Sequence, residues 1–461
     1  MLIKKPFSFL SSLKQKNSFV SSVFTLTSGT AAAQLIIILS SPVITRLYSP
    51  SDMGILASFM AIAYMLGDIV TGTYNQAVIL PENEADTKAL VFLCIIVTIT
   101  IGFLVSAVSF LFYSPLIHIL NLQNLPRFWV YSLGFTVIMI GFDNTLNRLS
   151  VRRKNFKALS KTAISQQIGV NGVKIGSAFI NAGTNGLLFG TIAGYLIRVS
   201  HLLFMERNFF FNKKDIPGIN QIKAIAVRYK NFPLVMSWSA LLNGASVQLP
   251  IVLFAGLFSS DLAGYYSLTA RILNLPVLII GQSVSNVFIE RASGLRNDPE
   301  ELKRITLELY KKLLLTGTVI MSFVFFYGDV LFPFVFGNNW HTAGVYAKWI
   351  SIWLIFMFTS TPLESLYIVL ENQKELFAFN LLMFTSRILL IFIVFYAGFS
   401  DIYLIAILSL FGALIYILFN FRILYTIKVS LLKAIKSVLE IVLPVFTIQY
   451  LVYLLVSALI L

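Results

Sequence analysis

The chain has 461 residues, 57% of them apolar and only 12% charged, whereas soluble domains carry roughly 25% charged residues. That balance excludes a soluble globule. The formal charge of +15 does not mark a nucleic-acid binder, because the basic residues follow the loops and do not gather on one face or tail.

Lys4, Lys5, Lys14 and Lys16 resemble the charged start of a secretory signal, but the apolar run from Phe24 to Thr45 is too long for a signal core. It reads as a first, uncleaved membrane helix. Apolar runs of this length recur at 22–46, 53–80, 88–113, 127–150, 160–182 and 185–206, each able to cross about 30 Å of hydrocarbon at about 1.5 Å per residue. A polar stretch follows, and then 232–257, 262–290, 310–336, 345–371, 375–398 and 401–426, with a last run at 438–461. The predicted fold is an all-α polytopic membrane protein of about 12 to 13 transmembrane helices. The single cysteine, Cys94, lies inside one of these runs and reads as a packing residue.

With the N-terminus cytoplasmic, the inner segments hold 28 lysines and arginines and the outer ones three, Arg46, Arg127 and Lys348. Cytoplasmic loops retain positive charge during insertion, so this asymmetry fixes the expected orientation. The chain divides into an N-terminal lobe of six helices (1–206), a cytoplasmic linker (207–231), a C-terminal lobe of six (232–426), and an amphipathic segment with an extra helix (427–461). Leu47-Tyr48-Ser49 through Gly54 matches Leu257-Phe258-Ser259 through Gly264, each after a span with a glutamine, Gln34 or Gln248. Because six is even, both lobes start on the same side, and a parallel repeat places its pseudo-two-fold axis along the membrane normal. A cleft between the lobes is the expected substrate site.

Charges inside the spans are expensive and mark function or pairing. Four cations fall there, Lys174, Arg198, Arg271 and Arg387, against three acids, Asp68, Asp143 and Glu364. Gln167, Asn171, Lys174 and Asn181 share one helical stripe, as do Ser267, Arg271, Asn274 and Ser285, and Tyr64, Asp68, Thr71 and Asn75. Lys174, Arg271, Arg387 and Arg198 are the expected lumen cations, with Gln34, Asn171 and Asn274 as polar lining. A cationic cleft suits an anionic, phosphate-bearing amphiphile. Asp68, Glu364 and Asp143 have two readings, structural ion pairs or sites for a coupling proton or sodium ion. Glycines four apart, Gly186, Gly190 and Gly194 with Gly172 and Gly176, predict close packing of the fifth and sixth helices. No zincin, Walker or nucleophile-elbow motif occurs, and His118, His201 and His341 are scattered. Neither an enzyme nor a metal or cofactor site is expected.

Gly29-Thr30 to Gln34, Pro42 to Thr45, Arg46-Leu47-Tyr48-Ser49-Pro50 and Met53-Gly54 resemble the first helix and loop of Wzx-type oligosaccharide-lipid flippases. Phe232-Pro233, Gln248-Leu249-Pro250, Gly264-Tyr265-Tyr266-Ser267 and Arg271 through Pro276 resemble the seventh and eighth helices of the same family, within the multidrug/oligosaccharidyl-lipid/polysaccharide (MOP) superfamily. The resemblance implies a bacterial inner-membrane protein that carries an undecaprenyl-pyrophosphate-linked O-antigen or capsule repeat unit to the periplasmic leaflet by alternating access. It implies membrane lipids, and a glycan polymerase or glycosyltransferases, as partners. The competing readings are a cation-coupled multidrug exporter of the same superfamily and a membrane enzyme of glycan assembly.

Overall fold

Hydrocarbon offers no hydrogen bonds, so apolar chain in a membrane must satisfy its backbone within helices or closed sheets. Here it does so with helices. The computed structural model describes residues 6–119, 123, 125–211, 217–370 and 372–460, with no strand among them. Lys4, Lys5 and part of the expected linker, 212–216, lie outside the described residues.

The chain forms two compact units, Met1–Gly256 and Leu257–Leu461. The first holds α1 (Pro6–Leu47), α2 (Pro50–Gly67), α3 (Tyr74–Ala77), α4 (Glu84–Leu111), α5 (Tyr113–Ile119), α6 (Arg127–Tyr131), α7 (Leu133–Arg152), α8 (Phe156–Ala178), α9 (Thr184–Met205), α10 (Arg207–Phe211), α11 (Ile219–Arg228) and α12 (Ser237–Leu253). Residues Phe232–Met236 and Phe254–Phe258, on either side of α12, are wound as π-helix. The seventh span belongs to this unit because α12 packs on α2, and its Val252 joins the core built around Phe59, Ala63, Val137 and Leu187.

The second unit holds α13 (Ser260–Gly294), α14 (Pro299–Phe336), α15 (His341–Leu363), α16 (Ser365–Val369), α17 (Gln373–Tyr396), α18 (Asp401–Thr426) and α19 (Leu431–Ile460). Its centre is α15, which packs against α13, α14 and α18 and buries Tyr346, Leu354 and Phe358. The extra C-terminal helix α19 runs along α14, where Phe326 meets Phe446, Tyr450 and Tyr453 with ring centroids 5.9, 6.0 and 5.9 Å away.

Eleven helices among the described residues are long and apolar enough to span a membrane. Two more, α7 with 20 residues and α8 with 23, have the length but carry charge and amide groups along it. The polar exceptions are where function is expected, because each polar group there costs insertion energy. One expected span is shorter than its apolar run. The 53–80 segment stops at Gly67, since Gly72 and Thr73 take left-handed backbone, φ 57° and 52°, which no α-helix accommodates.

The matched tripeptides do the same local work in both units. Ser49 Oγ accepts from the Asp52 amide at 3.1 Å, and Ser259 Oγ accepts from the Leu262 amide at 3.1 Å, each capping the helix that follows.

Close helix packing uses some of the expected glycines. A Cβ at Gly190 would lie 2.5 Å from Lys174 Cγ and 3.0 Å from the Val170 carbonyl oxygen, so α8 and α9 touch through it. A Cβ at Gly344 would overlap the Gly328 carbonyl oxygen across α14 and α15. Gly172 and Gly176 differ from expectation: nothing lies within 4 Å of a Cβ built on either. Gly190→Val and Gly344→Val should therefore each cost about 1 to 3 kcal/mol of stability, seen as a lower melting temperature in detergent. Gly172→Ala and Gly176→Ala should leave it unchanged; equal melting of all four variants would contradict this packing.

Candidate functional site

In the first unit, α7 and α9 bring Asp143 and Arg198 together, with Arg198 Nε 2.7 Å from Asp143 Oδ1. Arg198 Nη1 also donates to Gln166 Oε1 of α8 at 2.9 Å, so one guanidinium ties three helices. Tyr195, one turn before Arg198, adjoins both this pair and Tyr64 of α2. Of the two readings of Asp143, ion pairing is what the structure contains.

Lys174 is 7% exposed and Asn171 8%. The lysine stem lies over Gly190, and its main-chain carbonyl accepts from Tyr48 Oη at 2.6 Å, a hydroxyl that also meets Ser177 Oγ at 3.0 Å. Asn171 turns back on its own helix, donating to the Gln167 carbonyl at 2.8 Å. Gln34 is half-buried on α1, the helix packed along α8.

Asp68 stands apart from these. It is the exposed C-cap of α2, on the wall of a cavity of about 690 Å³. Next to it are Asn75 and Gln76 from α3, then Asn144, Asn147 and Arg148 from α7, and Ser239 and Asn243 from α12. Gly244 lets α12 come this near, since a Cβ there would lie 2.8 Å from Asp68 Oδ2. The sequence reading placed Asp68 and Asn75 on one face and missed the rest. The signal was present as i, i+3, i+4 spacing of Asn144, Asn147 and Arg148 in a segment predicted to cross the membrane.

In the second unit, the Arg387 guanidinium of α17 sits 4.5 Å from the centre of the Trp353 ring of α15. This is a cation–π contact. The Tyr266 and Tyr416 hydroxyls lie within its electrostatic reach. Its Nε is buried without a hydrogen-bond acceptor. Glu364, the C-cap of α15, neighbours Tyr416 and Tyr367. Arg271 is exposed on α13, and Asn274, one turn on, donates to the Ala270 carbonyl at 2.7 Å. Thus the expected cations divide between the units: Lys174 and Arg198 in the first, Arg271 and Arg387 in the second.

Two ion pairs were missed by sequence. Glu206, 2% exposed, accepts from Ser150 Oγ at 3.0 Å, Arg153 Nη1 at 3.2 Å and Asn155 Nδ2 at 3.1 Å, locking the end of α9 to the α7–α8 turn. Lys348, counted among the outer-loop cations, lies inside α15 and pairs with Asp329 of α14 at 2.8 Å. Among the described residues no group of three or more His, Cys, Asp or Glu could hold a metal ion.

Removing one partner of a desolvated pair leaves the other charge stranded, at a cost of about 3 to 5 kcal/mol. Arg198→Ala and Asp143→Ala should each lower the folded yield in membranes, and Asp143→Leu with Arg198→Met should restore most of it. A double variant no better than the singles would show that the pair has a role beyond packing.

Residues 43–345, more than half of the chain, match a family model described as polysaccharide biosynthesis protein. The succinoglycan biosynthesis transport protein ExoT of Rhizobium meliloti is 22% identical over 261 residues, 56% of this chain and 50% of ExoT. The chain thus spans half the length of that curated relative in the matched region. The lipid II flippase MurJ in an inward closed conformation superposes with a TM-score of 0.71 at 13% identity, over 94% of this chain and 92% of MurJ. An inward-facing multidrug resistance MATE transporter of the MOP superfamily gives 0.63 at 12% identity, over 86% of this chain and 95% of that one. The structural likenesses show the fold, and the family model shows the kinship: this multi-pass membrane chain belongs to the polysaccharide biosynthesis protein family and has the fold of MOP-superfamily flippases and exporters, as the Wzx-type resemblance of its sequence implied.

Proposed function

We propose that the protein translocates a polyprenyl-pyrophosphate-linked oligosaccharide, an O-antigen or capsule repeat unit, across the bacterial inner membrane by alternating access. The N-terminus faces the cytoplasm in this reading, in keeping with the excess of lysine and arginine on the inner segments of the sequence, where 28 stand against Arg46 and Arg127 once Lys348 is placed inside α15. Its partners are the lipid-linked glycan, membrane lipids, and the glycosyltransferases and polymerase that act before and after the step. No bond is made or broken.

The observation that carries the reading is Arg387. A guanidinium inside a spanning helix, braced on the Trp353 ring and with Nε lacking an acceptor, is an incomplete arrangement. Guanidinium recognises phosphate oxygens through paired, charge-assisted hydrogen bonds, which strengthen when water is excluded. A pyrophosphate passing through would complete the donor set and then leave.

Asp68 and Glu364 are the proposed coupling carboxylates. Each caps the C-terminal end of a helix, α2 and α15, where the helix dipole opposes negative charge. A proton or sodium ion binding there offsets that cost.

In proteoliposomes loaded with lipid-linked oligosaccharide, Arg387→Ala should reduce translocation at least about tenfold, the loss of one charge-assisted contact, while the protein stays folded. Arg387→Lys, which keeps charge but loses the planar fork, should fall between. An imposed proton or sodium gradient should stimulate the wild type and not Asp68→Asn with Glu364→Gln. Wild-type translocation by Arg387→Ala would refute the phosphate role, and undiminished stimulation of the amide variant would remove the coupling role.

A further inference from the structure

The polar cavity of the first unit has a composition unlike that of an anion site or a cation site. Five carboxamides line it, from Asn75, Gln76, Asn144, Asn147 and Asn243, with one carboxylate, Asp68, and one guanidinium, Arg148. The two charges balance. An anion-binding cavity needs surplus cations and a cation-binding one surplus carboxylates. An apolar guest needs apolar walls, and here only Met236 and Ala240 supply them.

Most of these polar groups are unspent. Asn75 Oδ1 accepts from Thr71 Oγ1 at 2.9 Å, and Asn144 Nδ2 reaches the Gly67 carbonyl at 3.3 Å. The side chains of Gln76, Asn147, Arg148, Ser239 and Asn243 have no protein hydrogen-bond partner among the described residues. Arg148, Ser239 and Asn243 are exposed and Gln76 and Asn147 half-buried, so their donors and acceptors face the open cavity and are free for water or a ligand. Five such side chains converging on one cavity point to a hydrogen-bonding occupant.

The cavity is also built, not left over. The reversal after α2 is held by Thr73, whose hydroxyl donates to the Phe232 carbonyl at 2.8 Å and meets Ser237 Oγ at 3.3 Å. That carbonyl already accepts from the Ser237 amide in the π-helical turn that opens α12. A π-turn shifts the register of the residues that follow it, and such turns occur often at functional sites. Here it precedes Ser239 and Asn243, one helical turn apart on the cavity wall.

We infer that this cavity binds the sugar residues of the transported glycan. Carboxamides donate and accept at once, and neighbouring sugar hydroxyls do the same, so the two can satisfy each other without net charge. The fork of Arg148 accommodates two adjacent hydroxyls, and so does the carboxylate of Asp68 in the part of the cycle when its coupling cation is absent. A cavity of about 690 Å³ lies within the range of small-molecule sites, about 300 to 1,000 Å³. The inference rests on the flippase reading and names what it recognises beyond the phosphates.

The test is binding of two lipids to the full-length protein in detergent: a polyprenyl pyrophosphate carrying the host's repeat unit, and the same polyprenyl pyrophosphate without sugars. The wild type should bind the glycosylated lipid at least tenfold more tightly. Asn147→Ala with Asn243→Ala should abolish that preference, and because neither side chain has a protein partner, folding should survive. Ala240→Phe, which fills the cavity without removing a polar group, should abolish it too. Equal affinity of the wild type for both lipids, or a preference retained by both variants, would overturn the sugar site while leaving the flippase reading intact. Failure to bind either lipid more tightly than a phosphatidylglycerol control would overturn both.

Discussion

A polar side chain carried into hydrocarbon must find a partner within the protein, a water-filled space or a ligand, and that requirement organises the whole molecule. Its backbone is satisfied by helices almost throughout. Its side chains then fall into two groups. One group is closed: Asp143 with Arg198 and Gln166, Asp329 with Lys348, Glu206 with three donors. These clamps join helices by pairing opposite charges. The other group is open, and it lies where the helices are interrupted.

The interruptions are local and have identifiable causes. Left-handed backbone at Gly72 and Thr73 ends the second span early, and the π-turn before α12 receives the Thr73 hydroxyl. Asp68 caps the shortened α2, and Glu364 caps α15 just before the short α16. Each carboxylate thus sits at a helix C-terminus, where free carbonyls already concentrate negative charge. Placing an acid there works against stability, which is the ground for the coupling role proposed for these two residues. Arg387 is held by a ring face that cannot satisfy its N–H groups, which is the ground for its proposed phosphate contact.

Much of this was legible in the sequence, because length and hydropathy decide which segments can cross a bilayer. The thirteen long helices among the described residues, the matched turns at Leu47-Tyr48-Ser49 and Leu257-Phe258-Ser259, and the kinship with polysaccharide biosynthesis proteins all followed from local signals. The partners of charged residues were not legible. Asp143 and Arg198 are 55 positions apart in the chain, and only the packing of α7 on α9 makes them a pair. Lys174 shares a polar stripe with Gln167 and Asn171, and the stripe alone does not show that the close approach permitted by Gly190 buries it. The amide cavity was overlooked because five carboxamides spread over α3, α7 and α12 carry little information until those helices are brought together. Gly172 and Gly176 share their spacing with the packing glycines but face open space, so the motif alone does not say which helix face is used.

The central claim is transport of a lipid-linked glycan, and the distribution of that lipid between the two leaflets of the inner membrane tests it most directly. Cells depleted of this protein, with the sugar-assembly enzymes intact, should accumulate polyprenyl-linked oligosaccharide on the cytoplasmic leaflet, and restoring the protein should clear it. An unchanged leaflet distribution accompanied by altered sensitivity to toxic organic cations would contradict the account and assign the protein to drug export.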